Sequence, residues 1–189
     1  MKILFIKEKR SETGLEGIAI YLLNVCIELN RLGIEYLVLY NARDLFFNKM
    51  IESNINVNIV DLPPSSASNM LHKYPSVLRI RKVIHSIVLK EKITVINVHF
   101  PHLLGYVKNS WGVPIFGHWH GAFVENKPLK YVDRNNLLSL KKILNNIYKK
   151  HQVFNYSNAK KVICPSLAAK NTALKCFLVP ENKIEINKY

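Results

Sequence analysis

The feature that most constrains this chain is an alternation, repeated from end to end, of short apolar runs and longer stretches whose apolar positions keep helical spacing. Ile3–Ile6 reads as a buried strand. Leu15, Ile18, Ala19, Leu22, Cys26, Leu29 and Leu32 then mark one face of a helix, and Gly33 suits its stop. Tyr36–Tyr40 and Val57–Leu62 read as strands, and Pro63-Pro64-Ser65-Ser66 breaks the chain before a helix from Ser76 to Lys90. Strands are expected at Thr94–His99, Val113–His118 and Lys161–Cys164, with a last one over Lys183–Ile186. Pro101 fits the first turn of a short helix, Asn136–Phe154 is a long amphipathic one, and Ser166 suits the N-cap of another running to Phe177. Apolar strands joined by helices predict an α/β fold, a mainly parallel sheet with helices on both faces.

The 189 residues suit one such domain, with 49% hydrophobic and 21% charged residues excluding a disordered tail. No apolar run reaches the ~20 residues that span a bilayer, and the four apolar residues after Lys2 are too few for a signal peptide. The three cysteines, Cys26, Cys164 and Cys176, form no metal-type pair and sit in apolar stretches. They read as buried free thiols of a reducing compartment, and the chain as cytoplasmic or peripheral on the inner face of a membrane. The formal charge of +14 favours an anionic partner without choosing among nucleic acid, bilayer surface and phosphorylated substrate.

Ligands of open parallel sheets gather at the carboxyl ends of the strands, so the chemistry is sought there. The loop after the first strand runs from Lys7 through Glu16 and Gly17 directly into a helix. A glycine at that place lets amide N–H groups approach a phosphate, although the loop is neither G-x-G-x-x-G nor a P-loop. The fourth strand ends in Asn97-Val98-His99-Phe100-Pro101-His102 and the fifth in His118-Trp119-His120-Gly121. Histidines at neighbouring strand ends can donate to sugar hydroxyls or phosphates, or exchange protons near neutral pH. Zinc is the rival reading of four histidines, but no acidic or cysteine ligand accompanies them, and no metal is assigned.

Several segments together resemble the N-terminal half of glycosyltransferases of the GT-B fold, GT4 type. Gly17-Ile18 followed by Leu29-Asn30-Arg31-Leu32-Gly33-Ile34-Glu35 resembles that family's glycine loop and first helix. Asn97–Pro101 is similar to its x-His-x-His-x-Pro strand end, and His120-Gly121 to its Thr-x-His-Gly. Ala159–Ser166 and Pro180–Ile186 are similar to two later segments in the same order. The resemblance implies a Rossmann-like acceptor-side domain of a retaining, metal-independent transferase that uses a nucleotide-sugar as co-substrate and no other cofactor. It implies a catalytic role for His120, near the transferred sugar, and substrate contacts by Glu16, Gly17, His99, His118, Gly121 and Ser166. It also implies a lipid-linked or cell-surface glycan acceptor, and a second, donor-binding domain that this sequence does not contain. Two departures stand out: Glu16 replaces the first glycine of the family's pair, and His118 replaces the usual threonine.

The basic residues gather on helices. Lys141, Lys142, Lys149 and Lys150 lie opposite the apolar face of Asn136–Phe154, and Arg79, Arg81 and Lys82 repeat the pattern earlier. Such faces either stay solvated or lie on an anionic bilayer, where each residue contributes roughly 1 kcal/mol. No stacking motif or recognition helix accompanies them, so no nucleic-acid partner is expected. The alternative to a transferase half is a non-catalytic basic module that binds membrane or nucleic acid.

Overall fold

A computed structural model describes residues 1–9, 16–61, 70–119, 156–177 and 179–187. The elements are β1 (Lys2–Lys7), α1 (Gly17–Arg31), β2 (Glu35–Tyr40), α2 (Leu45–Glu52), β3 (Val57–Ile59), α3 (Met70–Lys90), β4 (Val95–His99), β5 (Ile115–His118), β6 (Lys161–Cys164), α4 (Leu167–Phe177) and β7 (Ile184–Ile186). Short 3₁₀ turns cover Pro101–Tyr106, Asn109–Trp111, Tyr156–Asn158 and Glu181–Lys183. The strands form one seven-stranded sheet in the order β3-β2-β1-β4-β5-β6-β7, every pair parallel. This is the expected Rossmann-like α/β architecture.

Alternation along β1 divides the core. Phe5 faces one side with Ala19, Leu22 and Cys26 of α1 and Phe46 and Met50 of α2. Leu4 and Ile6 face the other, where Ile80, Ile84 and Val88 of α3 bury a stripe at four-residue spacing. Fully burying each such aliphatic side chain contributes about 1.5–3 kcal/mol, so the two faces together fix the register of the sheet. Both described thiols, Cys26 and Cys164, are buried and free. Gly33 stops α1 as expected: at φ 65° it lets its own N–H reach the Asn30 carbonyl (3.1 Å) and that of Ile34 reach Leu29 (3.0 Å).

Some boundaries differ from the sequence reading. The third strand stops at Ile59 instead of Leu62, because its neighbour β2 ends at Tyr40, the partner of Ile59. The sequence reading assigns no element between Tyr40 and Val57, yet α2 lies there. Asp44 caps it, accepting a bond from the Phe47 N–H at 3.1 Å, while Phe46 and Met50 bury one short face. The fifth strand begins at Ile115, after Gly112 in a left-handed turn and Pro114. Helix α3 starts at Met70, ahead of the expected Ser76, and Lys183 belongs to a 3₁₀ turn preceding the last strand. The Asn136–Phe154 helix lies outside the described residues. Among the described residues no helix is long and apolar enough to cross a membrane.

The sheet order places the point where the chain reverses its direction of travel between β1 and β4. The carboxyl ends of those two strands flank the crevice in which ligands of such sheets bind.

Candidate functional site

Three strand-final residues form a row at that edge. Lys7 ends β1 and pairs in register with His99, which ends β4; His99 pairs in turn with His118, which ends β5. In-register neighbours share a face of the sheet, and here it is the face that α1 covers. Tyr21 of α1 packs on both imidazoles, with ring centroids 6.2 Å from His99 and 6.3 Å from His118. Phe5 closes the inner side of His99 at 5.9 Å. The two imidazoles stack on each other at 4.9 Å and 11°.

This stack is a dry place for a base. His99 is 1% exposed and His118 is likewise buried, and loss of hydration pushes the His118 pKa down to about 4. His118 is therefore neutral at pH 7. The expectation of proton exchange near neutral pH is corrected for this residue by its burial. What a neutral imidazole retains is one N–H donor and one ring-nitrogen acceptor, a set suited to hydroxyl groups.

The next residue carries strain. Phe100 sits at φ 125° and ψ 132°, a conformation that side chains rarely adopt, with its ring buried. It turns the chain out of β4 into the Pro101–Tyr106 turn, whose Leu104 packs over β5. A Cβ added to Gly117 would meet Leu104 Cδ1 at 3.2 Å, so the small residue beside His118 makes room for that turn.

Lys7 was not singled out by the sequence reading. Its side chain is 0% exposed, and Nζ lies 2.6 Å from Glu16 Oε1. Nζ also donates to the Glu8 carbonyl at 3.0 Å and sits 5.0 and 4.9 Å from the ring centroids of Tyr40 and Phe46. Burial pulls the Lys7 pKa down, and the bond that Lys7 donates to the Glu16 carboxylate works against that pull. Glu16 occupies the N-cap position of α1 with extended backbone, but its side chain makes no cap bond; its carbonyl accepts from Ala19 at 2.8 Å. The carboxylate has turned to Lys7 instead. At Gly17 a Cβ would meet nothing within 4 Å among the described residues.

The remaining expected site residues are spread out. Ser166 follows β6 and caps α4, its Oγ accepting from the Ala169 N–H at 3.2 Å. Arg79 is exposed and pairs with Asp61 at 3.3 Å, and Lys82 is exposed. Arg81, by contrast, is half-buried and donates Nε–H to the Gly105 carbonyl at 2.7 Å, which ties α3 to the turn after β4. His120, Gly121, Lys141, Lys142, Lys149 and Lys150 lie outside the described residues. Among the described residues no group of three or more His, Cys, Asp or Glu is placed to hold a metal ion.

Comparison with known proteins bears on this arrangement. The family model described as Glycosyltransferase Family 4 matches residues 15–187. Among solved structures, the chain is similar to a glycosyltransferase from Rickettsia africae ESF-5, with a TM-score of 0.68 at 17% identity, covering 98% of this chain and 42% of that one. It is also similar to Anabaena Alr3699/HepE in complex with UDP and glucose (TM-score 0.59, 15% identity, 98% of this chain and 43% of that one). Acinetobacter baumannii MurG is a third (TM-score 0.57, 11% identity, 98% and 45%). The chain thus spans less than half the length of these solved chains. A sequence comparison with curated proteins gives no match. With the match running across nearly the whole chain, this protein belongs to glycosyltransferase family 4.

Proposed function

We infer that this chain is the acceptor-side half of a nucleotide-sugar-dependent glycosyltransferase, working with retention of configuration on a glycan or lipid-linked acceptor. The observation that carries the reading is the strand-final row Lys7, His99 and His118 beside the crevice, in a chain of this family. Transfer of a glycosyl group from a nucleotide needs a dry, preorganised place for the sugar and acceptor hydroxyls. The stacked, buried histidines under Tyr21, of which His118 is neutral, supply one wall of such a place. This chain matches less than half the length of each of these solved relatives. Because Anabaena Alr3699/HepE is solved in complex with UDP-glucose, uridine sugars are the first donors to try.

In this reading His120, two residues past the end of β5, lies next to the transferred sugar. Replacing His120 with Ala in the whole transferase lowers turnover by more than tenfold, roughly the loss of a well-placed catalytic group, and leaves the melting temperature near wild type. Unchanged turnover removes His120 from the mechanism.

A further inference from the structure

The connection between β4 and β5 leaves its first strand through the strained Phe100 and is fastened by side chains from outside it. We propose that Arg81 and Asn158 are positioning residues: by bonding two successive carbonyls of this connection they keep the Phe100 exit in its strained form, and so hold the His99–His118 pair at the crevice. The proposal rests on the transferase reading only for what that pair does there.

Three observations carry it. The first is the convergence of donors. Arg81 of α3 donates Nε–H to the Gly105 carbonyl at 2.7 Å, and Asn158 donates from Nδ2 to the Leu104 carbonyl at 3.2 Å. His85, one helical turn beyond Arg81 and on the same face of α3, stacks on Trp111 at 4.9 Å and 19°, fastening the far end of the same connection. The second is that the anchors are themselves fixed. Ile80, Ile84 and Val88 bury α3 in the core. Lys183 Nζ donates to the carbonyls of Tyr156, Ser157 and Ala159 at 3.3, 3.2 and 2.9 Å, which braces the turn that carries Asn158. The third is reach to both histidines. Phe100 follows His99 directly, and Leu104 packs where a Cβ on Gly117, the residue before His118, would stand 3.2 Å from its Cδ1.

The physical link is strain. A φ of 125° in a residue with a Cβ persists only where the surroundings over-determine it. A guanidinium bond to a carbonyl is charge-assisted and among the stronger kinds, and here it closes on the residue next to Leu104. Arg81 was expected to face a membrane with Arg79 and Lys82; its bond turns it to the crevice side of the fold instead.

The experiment is a set of thermodynamic cycles, read by urea denaturation of the full chain. Glycine relieves the strain at position 100 and alanine does not, so the folding constant of Phe100→Gly is expected to exceed that of Phe100→Ala about fivefold. With Arg81→Met or Asn158→Ala added to both, the ratio is expected to fall to within about twofold of one, because the released turn lets residue 100 relax. A merely structural Arg81 or Asn158 lowers both position-100 variants alike and keeps the ratio, which overturns the proposal. A ratio near one before either tether is cut overturns it too. In parallel, the imidazole Cε1–H signals of His99 and His118, displaced by each other's ring currents, are expected to move in Arg81→Met and to return in Arg81→Lys, which still offers a cationic donor. Signals that stay in place in Arg81→Met contradict the proposal. Where Arg81→Met loses the wild-type circular dichroism, Asn158→Ala supplies both readings. Neither reading uses sugar transfer, so a protein that consumes no nucleotide-sugar counts against the transferase reading alone.

Discussion

His99 and His118, the last residues of neighbouring strands, stack with 4.9 Å between ring centroids and 11° between ring planes. Parallel stacking at this distance tolerates two neutral rings and penalises two charged ones. With His118 held neutral by its burial, the stack sets an uncharged imidazole at the strand-end edge.

That neutrality is measurable as a pH dependence of folding. In the unfolded chain His118 titrates near 6.5, and in the fold its pKa is about 4. Below pH 6.5 the unfolded chain takes up a proton that the folded chain refuses, so stability falls as pH drops from 6.5 towards 4 and levels off below. The whole loss attributable to His118 is about 3 kcal/mol. Urea denaturation of wild type and His118→Gln at pH 7.5 and pH 4.5 checks it: the wild type is expected to lose more stability between the two than the variant does. Equal losses contradict a depressed His118.

The Lys7–Glu16 pair should be asymmetric to mutation. Lys7 is fully enclosed, whereas Glu16 is 21% exposed. Replacing Glu16 with Leu strands a buried ammonium and costs about 3–5 kcal/mol. Replacing Lys7 with Met leaves a carboxylate that can turn to water, at a cost nearer 1–2 kcal/mol. Chemical denaturation of both variants gives the order, and a larger loss for Lys7→Met contradicts it.

Phe100 offers a test of the strained exit from β4. Its φ of 125° favours glycine over any residue with a Cβ. Both Phe100→Ala and Phe100→Gly lose the buried ring, but the glycine variant should be the more stable by about 1 kcal/mol. Glycine ordinarily destabilises an ordered position relative to alanine. Melting curves showing the ordinary order would mean that the strain is absent.

The basic surface makes a separate prediction for anionic vesicles. Arg79 is paired with Asp61, and Arg81 is bonded to the Gly105 carbonyl, so α3 has less cation to offer than its sequence suggests. Changing Lys141, Lys142, Lys149 and Lys150 together to Gln should weaken co-sedimentation with phosphatidylglycerol vesicles, by up to roughly 1 kcal/mol per residue. Arg79→Gln should do little. Equal failure of the wild type to bind anionic and neutral vesicles ends the membrane reading.

Much of this fold was legible because its strands are buried on both sides. Ile3–Ile6 and Tyr36–Tyr40 have no polar face to confuse with a helix, and Gly33 and Ser166 mark helix ends by chemistry that acts locally. Helix α2 was missed because its eight residues complete only two turns, and its clearest signal is one capping aspartate. His99 and His118 were legible as strand ends; that they stack beneath Tyr21 was not, since only the register of β4 on β5 brings them together. The partner of Glu16 was hidden for the same reason. Lys7 looks like a solvated charge after an apolar run, and eight residues of chain separate it from the carboxylate that it meets.

The central claim is sugar transfer. Its most direct measurement incubates the whole transferase with a panel of uridine and guanosine diphosphate sugars and a lipid-linked glycan acceptor, following nucleotide release and, by NMR, the anomeric configuration of the product. The account predicts acceptor-dependent release of nucleotide with at least one donor, and a product that keeps the donor's configuration. No release with any donor, in a folded protein that still binds anionic vesicles, would contradict it in favour of a non-catalytic basic module.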